Sequence, residues 1–138
     1  MALTVAAVAN DGIMMKPMLV NEVLTPEGSN LKTIEPEVIS TVTTKDNAKI
    51  IKEFMRGVVT SGTGAAAAVP GIAVGGKTGT ADHDDKKDIA EPPHSWFIGF
   101  APYENPTIAL AVIVEEGGTG GGAAARIASG VIKANLKK

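Results

Sequence analysis

No cysteine occurs in the 138 residues, which excludes a disulfide framework, a thiolate metal site and a cysteine nucleophile while leaving either redox compartment open. Aromatics are scarce, with one Trp and one Tyr, and there is no run of Lys or Arg. At a formal net charge of -2 the chain has neither the basic groove nor the stacking platform that nucleic acid requires, so nucleic acid is not an expected partner. Apolar runs are short: Ala2 to Ala9 and Ile108 to Val114 both fall far below the ~20 residues that span a bilayer. The first contains Ala7-Val8-Ala9, which imitates a cleavage site, but the first cation is Lys16, so the basic n-region of a signal peptide is lacking. What is present is ordinary globular material, 44% hydrophobic and 20% charged, enough for about one domain with its own core.

A helix apolar on nearly all sides belongs in the middle of something larger. Met1 to Asn10 therefore suggests a chain that starts partway through its parent domain, with Leu3, Val5 and Val8 around the helix as the place where apolar exposure should be worst. Asn10-Asp11-Gly12 stops that helix and Pro17 prevents its resumption. Val20 to Leu24 and Leu31 to Ile34, flanking Thr25 to Asn30, read as a hairpin. Thr44 is an expected N-cap for a helix through about Val59, with Ile50, Ile51, Phe54, Met55 and Val58 as its apolar stripe. Thr60 to Pro70 reads as a loop with a helical turn. Ile72 to Ala81, Ser95 to Ala101 and Thr107 to Glu115 are three strands, and the tight Pro102 to Pro106 turn makes antiparallel neighbours the expectation. Gly117 to Gly122 is too glycine-rich for regular structure, serving as a mobile loop or a linker. Ala123 to Leu136 closes the chain as a helix with Ile127, Val131 and Ile132 inward. Strands grouped before a covering helix indicate an α+β fold.

The most informative segment is Gly75-Gly76-Lys77-Thr78-Gly79-Thr80-Ala81. Gly71 to Thr78 satisfies the Walker A pattern, and Ile108 to Val114 followed by Glu115 resembles a Walker B strand. A phosphate-binding loop, however, needs a helix beginning at the Lys-Thr so that its N-terminal N–H groups meet phosphate. Here Gly79-Thr80-Ala81 and then Asp82-His83-Asp84-Asp85 follow, which speaks against a P-loop nucleotide-binding protein. Read as a strand, Thr78 and Thr80 share one face while Lys77 and Gly79 share the other, and Gly79 admits close approach of another backbone or a ligand. At a sheet edge such a strand can pair with a peptide-like substrate. The bland alternative is an ordinary glycine-containing strand with a solvated lysine.

Lys77-Thr78-Gly79-Thr80 resembles the Lys-Thr-Gly motif of penicillin-recognising serine enzymes. Together with Val69-Pro70-Gly71, the Trp96-Phe97-Ile98-Gly99-Phe100-Ala101-Pro102 strand, the apolar strand ending in Glu115 and the terminal helix, it resembles in order the C-terminal portion of the transpeptidase domain of class B penicillin-binding proteins. The resemblance covers residues 1–138 and implies a partial β-lactamase/transpeptidase-like fold with an antiparallel sheet covered by helices. It implies that Lys77 supplies positive charge to the catalytic hydrogen-bond network and the substrate carboxylate, and that the Thr78 and Thr80 hydroxyls hold that carboxylate. It further implies that the Thr80 backbone N–H is one oxyanion-hole donor, that Gly79 is part of the substrate strand, and that no cofactor or metal is needed. The parent would be a peptidoglycan D,D-transpeptidase trapped by β-lactams, acting on stem peptides at the extracytoplasmic side of the bacterial membrane and anchored through a segment not present here.

The same family needs a Ser-x-x-Lys nucleophile at a helix start and a Ser-x-Asn motif. Ser29-Asn30-Leu31-Lys32 spells the first but sits in the hairpin, and no Ser-x-Asn occurs. The nucleophile serine is therefore read as absent, and the expectation is a truncated domain, inactive alone, that seeks the remaining N-terminal part of its parent or self-associates. A β-lactam sensor module without turnover shares the strand and is the second function class. Asp82 to Asp88 reads as a solvated loop rather than a metal site, and His94 as structural or surface.

Overall fold

The computed structural model describes residues 1–83 and 91–136. Asp84, Asp85, Lys86, Lys87 and Asp88, weighed above as loop or metal site, lie outside the described residues. Helix α1 (Ala2–Ala9) ends where the sequence indicates, with Asp11 at φ 53° and Gly12 at φ 90°, left-handed backbone that halts a helix. Strand β1 (Ile13–Met15) follows, then β2 (Glu22–Leu24) and β3 (Asn30–Thr33), then β4 (Val38–Thr41). The β2–β3 hairpin is antiparallel as expected. The pairing of β1 with β4 was not legible, because two strands of three and four residues bridged across an intervening hairpin leave too short a pattern to read.

Helix α2 (Lys45–Ser61) is capped by Thr44, whose Oγ1 accepts from the Asn47 N–H at 3.3 Å. Its Lys52 ammonium reaches Asp11 at 2.6 Å and Lys45 reaches the same carboxylate at 3.1 Å, tying α2 to the end of α1. The Lys52 hydrogen bond, then that of Lys45, holds the Asp11 carboxyl below its usual range. A 3-10 turn, Ala65–Ala67, follows.

Strands β5 (Gly75–Ala81), β6 (His94–Ala101) and β7 (Ile108–Val114) form an antiparallel sheet in that order, and α3 (Ala123–Leu136) packs on one face. Phe97 and Phe100, three residues apart on β6, point to opposite faces and each centres a core. Phe97 lies among Val59, Val74, Leu110 and the α3 residues Ala124, Ala125, Ala128 and Ile132. On the other face Phe100 lies with Val5 of α1 and Met55 of α2.

Three burial expectations are corrected. In α3 Ala124, Ala125, Ala128 and Ile132 face inward, while Ile127 and Val131 are exposed, because small side chains let this helix settle close to the sheet. In α2 the buried positions are Ala48, Met55 and Val59; Ile50, Ile51 and Phe54 stay exposed, Phe54 at 71%. In α1, Val5 and Ala7 are buried, so the worst apolar exposure lies at Leu19, Leu31 and Phe54.

The edge strand β5 as a candidate active-site wall

Strand β5 is an edge strand, since among the described residues it pairs only with β6. The register sets Lys77 opposite Ile98, Thr78 opposite Phe97, Gly79 opposite Trp96 and Thr80 opposite Ser95. By strand alternation Lys77 and Gly79 face the Trp96 and Ile98 side, whereas Thr78 and Thr80 face the side of Phe97 and α3. The Lys77 side bounds a pocket of about 290 Å³ lined by Met1, Lys77 to Ala81, Trp96 and Ile98. Its wall is apolar apart from the ammonium and the strand's own polar groups. The Lys77 ammonium donates to the Thr78 carbonyl.

The glycines before Lys77 make room for rings. A Cβ on Gly76 would lie 2.2 Å from the Phe97 ring and one on Gly75 2.6 Å from the Phe100 ring. The chain runs on from Thr78 as strand, with no helix at the Lys-Thr, so the Walker A spelling has no P-loop geometry and the nucleotide reading falls. Ser29 lies in the β2–β3 turn, where its N–H donates to Thr25 Oγ1; the Ser-x-x-Lys spelling runs into strand β3, not a helix.

The segment from Gly117 to Gly122, read as a mobile loop beside the site or a linker, lies against β5 and backs it. His94 Nδ1 accepts from the Glu116 N–H at 3.0 Å, which gives this histidine a structural task. Buried Ser95 donates to the Thr119 carbonyl at 2.8 Å and accepts the Ala124 N–H at 3.2 Å, satisfying a donor at the start of α3. The Gly120 N–H donates to Thr80 Oγ1 at 3.2 Å. On the same face of the strand, Thr63 Oγ1 meets Thr78 Oγ1 at 2.7 Å. Sequence reasoning missed Thr63, Ser95 and Gly120. The available signals were a hydroxyl between two glycines at Thr63 and a serine entering the core strand at Ser95.

Gly120 is expected to be intolerant. A Cβ there would stand 2.2 Å from the Gly79 carbonyl oxygen, 2.7 Å from Gly79 N and 2.7 Å from the Trp96 oxygen, all backbone atoms of paired strands that cannot rotate away. Gly120→Ala should lower stability by about 1–3 kcal/mol. Gly57→Ala and Gly130→Ala, in helices with open space around the added methyl, should raise it by up to about 1 kcal/mol. Urea midpoints of the three variants check this, and a Gly120→Ala protein as stable as its parent would refute the backing role.

Comparison with known proteins agrees with this arrangement. A family described as the penicillin binding protein transpeptidase domain matches residues 1–133. Peptidoglycan D,D-transpeptidase PbpA of Mycolicibacterium smegmatis is 38% identical over 141 residues, covering 96% of this chain and 28% of that protein. Stage V sporulation protein D of Bacillus subtilis is 34% identical, with 96% and 21% covered. Among solved structures, the D,D-transpeptidase domain of a peptidoglycan glycosyltransferase from Eggerthella lenta superposes with a TM-score of 0.86 at 38% identity, over 99% of this chain and 31% of that one. The ceftriaxone acyl-enzyme of penicillin-binding protein A from M. tuberculosis gives 0.85 at 38% identity, over 98% and 31%. The chain thus spans under a third of the length of these relatives. An α+β sheet with this strand order, matched in sequence and in three dimensions along nearly its whole length, places the chain in the penicillin-binding protein transpeptidase domain family.

Proposed function

We propose that this chain forms the C-terminal, Lys-Thr-Gly-bearing part of a peptidoglycan D,D-transpeptidase domain, the part that recognises the acyl donor and β-lactams. The observation that carries the reading is an edge strand whose lysine faces a pocket while its two threonine hydroxyls are held in place by the same chain. In this reading the free edge of β5 pairs with the backbone of a D-alanyl-D-alanine stem peptide as an added strand. Lys77 and the hydroxyls of Thr78 and Thr80 attract the terminal carboxylate, and the Thr80 N–H stabilises the oxyanion of the tetrahedral intermediate. Gly79 leaves the acyl group room to lie against the strand.

The serine that is acylated comes from elsewhere. The chain's serines are Ser29, Ser40, Ser61, Ser95 and Ser129; Ser95 is buried beneath the loop, and none opens a helix with a lysine one turn on. The uncovered apolar side chains of Ile50 and Phe54, one turn apart on α2, supply a surface for the nucleophile-bearing part of the domain or for self-association. A peptidoglycan substrate places the site on the extracytoplasmic side of the membrane. Among the described residues no helix is long and apolar enough to cross a membrane.

Intact-mass measurement after incubation with penicillin G tests the reading. The 138-residue chain alone should show no stoichiometric adduct, and the full-length protein in which it occurs should gain one penicilloyl group on a serine outside these residues. An adduct on Ser29, or a full-length protein that is never acylated, would defeat it.

A further inference from the structure

The geometry points to Thr63 as a positioning residue that donates its hydroxyl proton to Thr78 Oγ1, leaving the Thr78 proton free to be donated to the carboxylate of the acyl donor; this rests on the function proposed above. A threonine hydroxyl has one proton to give and two lone pairs to accept with. If Thr78 gave its proton to Thr63, it would have only lone pairs to present to an anion, which repel it. At Thr80 the direction is fixed, because the group behind it is the Gly120 N–H, a donor only. Thr80 Oγ1 is therefore an acceptor toward its own chain and keeps its proton for a ligand. Thr78 is the equivalent position two residues earlier on the same face, and its neighbour at 2.7 Å is Thr63. A Thr63 donor gives both hydroxyls the same polarity, lone pairs toward the chain and protons toward the substrate.

Thr63 is also held where this role needs it. It follows α2 in Ser61-Gly62-Thr63-Gly64, and its carbonyl oxygen lies so close to Gly121 that a Cβ there would stand 2.4 Å away. The loop that backs Thr80 through Gly120 thus also abuts Thr63 through Gly121. The two hydroxyl supports share one framework, and Thr63 lies 15 residues from Thr78 in sequence.

The test uses the full-length protein and two probes, penicillin G and its methyl ester, whose carboxylate is masked. Second-order acylation rates are taken per acylatable protein, so partial unfolding does not enter. Thr63→Val, which keeps the shape and removes the hydroxyl, should slow acylation by penicillin G about tenfold. Thr63→Ser should stay within about threefold of the parent, since the donor is retained. With the methyl ester, Thr63→Val and the parent should react alike, and in a Thr78→Val background Thr63→Val should add nothing further. Equal loss with acid and ester, or no loss with the acid, overturns the role of Thr63. Failure of the unmodified protein to be acylated at all instead strikes the underlying functional reading.

Discussion

Replacing Lys77 with alanine in the full-length protein is expected to slow acylation by penicillin G about 10²- to 10³-fold, the range found when a preorganised group facing developing negative charge is removed. The physical reason is placement. Lys77 stands on the Trp96 and Ile98 face of β5, at the wall of a pocket otherwise bounded largely by carbon. Along the strand it is one position from Thr78 and three from Thr80, whose hydroxyls stand on the other face. Lys77→Arg should restore only part of the rate, because a planar guanidinium cannot occupy the position of a compact ammonium. Stability should hardly change, since Lys77 is exposed and its partner is the carbonyl of its own neighbour. Quenched-flow acylation with urea denaturation of the same variants separates the two effects. A rate within threefold of the parent would remove Lys77 from the site.

Phe97→Ala is expected to cost about 3–5 kcal/mol of stability, the range for truncating a buried aromatic side chain. Phe97 is fully buried, and its ring fills the space left by Gly76 and Gly99. It also touches the ground beneath the candidate site: Thr78 pairs with it across the β5–β6 ladder, and the alanine face of α3 closes over it. The cavity left behind cannot collapse easily, because its walls are strand backbone on one side and helix on the other. Phe97→Leu should recover much of the loss. Urea midpoints at constant slope measure it, and a loss under 1 kcal/mol would show that the sheet and α3 do not depend on this ring.

Elements with local causes were legible in the sequence. The Thr44 cap and its helix depend on residues within one turn, the β2–β3 hairpin on its own turn, and the antiparallel pairing of β6 and β7 on strand pattern and the short turn that begins at Pro102. Burial was legible only where side-chain size did not mislead. Ile127 and Val131 look like core residues by hydropathy, yet the close approach of α3 favours Ala124, Ala125 and Ala128. Of the apolar stripe read for α2 only Met55 is buried, and Ala48 and Val59, outside that stripe, are buried beside it.

The sequence by itself determined the family and the candidate strand, because Lys77-Thr78-Gly79-Thr80 is contiguous and its alternation assigns each side chain to a face without further information. It also raised the expectation that none of the serines here is the nucleophile. Only the tertiary structure decided what stands behind that strand. Gly120 lies 40 residues from Thr80, Thr63 lies 15 from Thr78, and Ser95 joins β6 to the start of α3 across 29 residues. Such contacts have no local sequence period, and they form only when the sheet, the glycine-rich loop and the end of α2 close on one another.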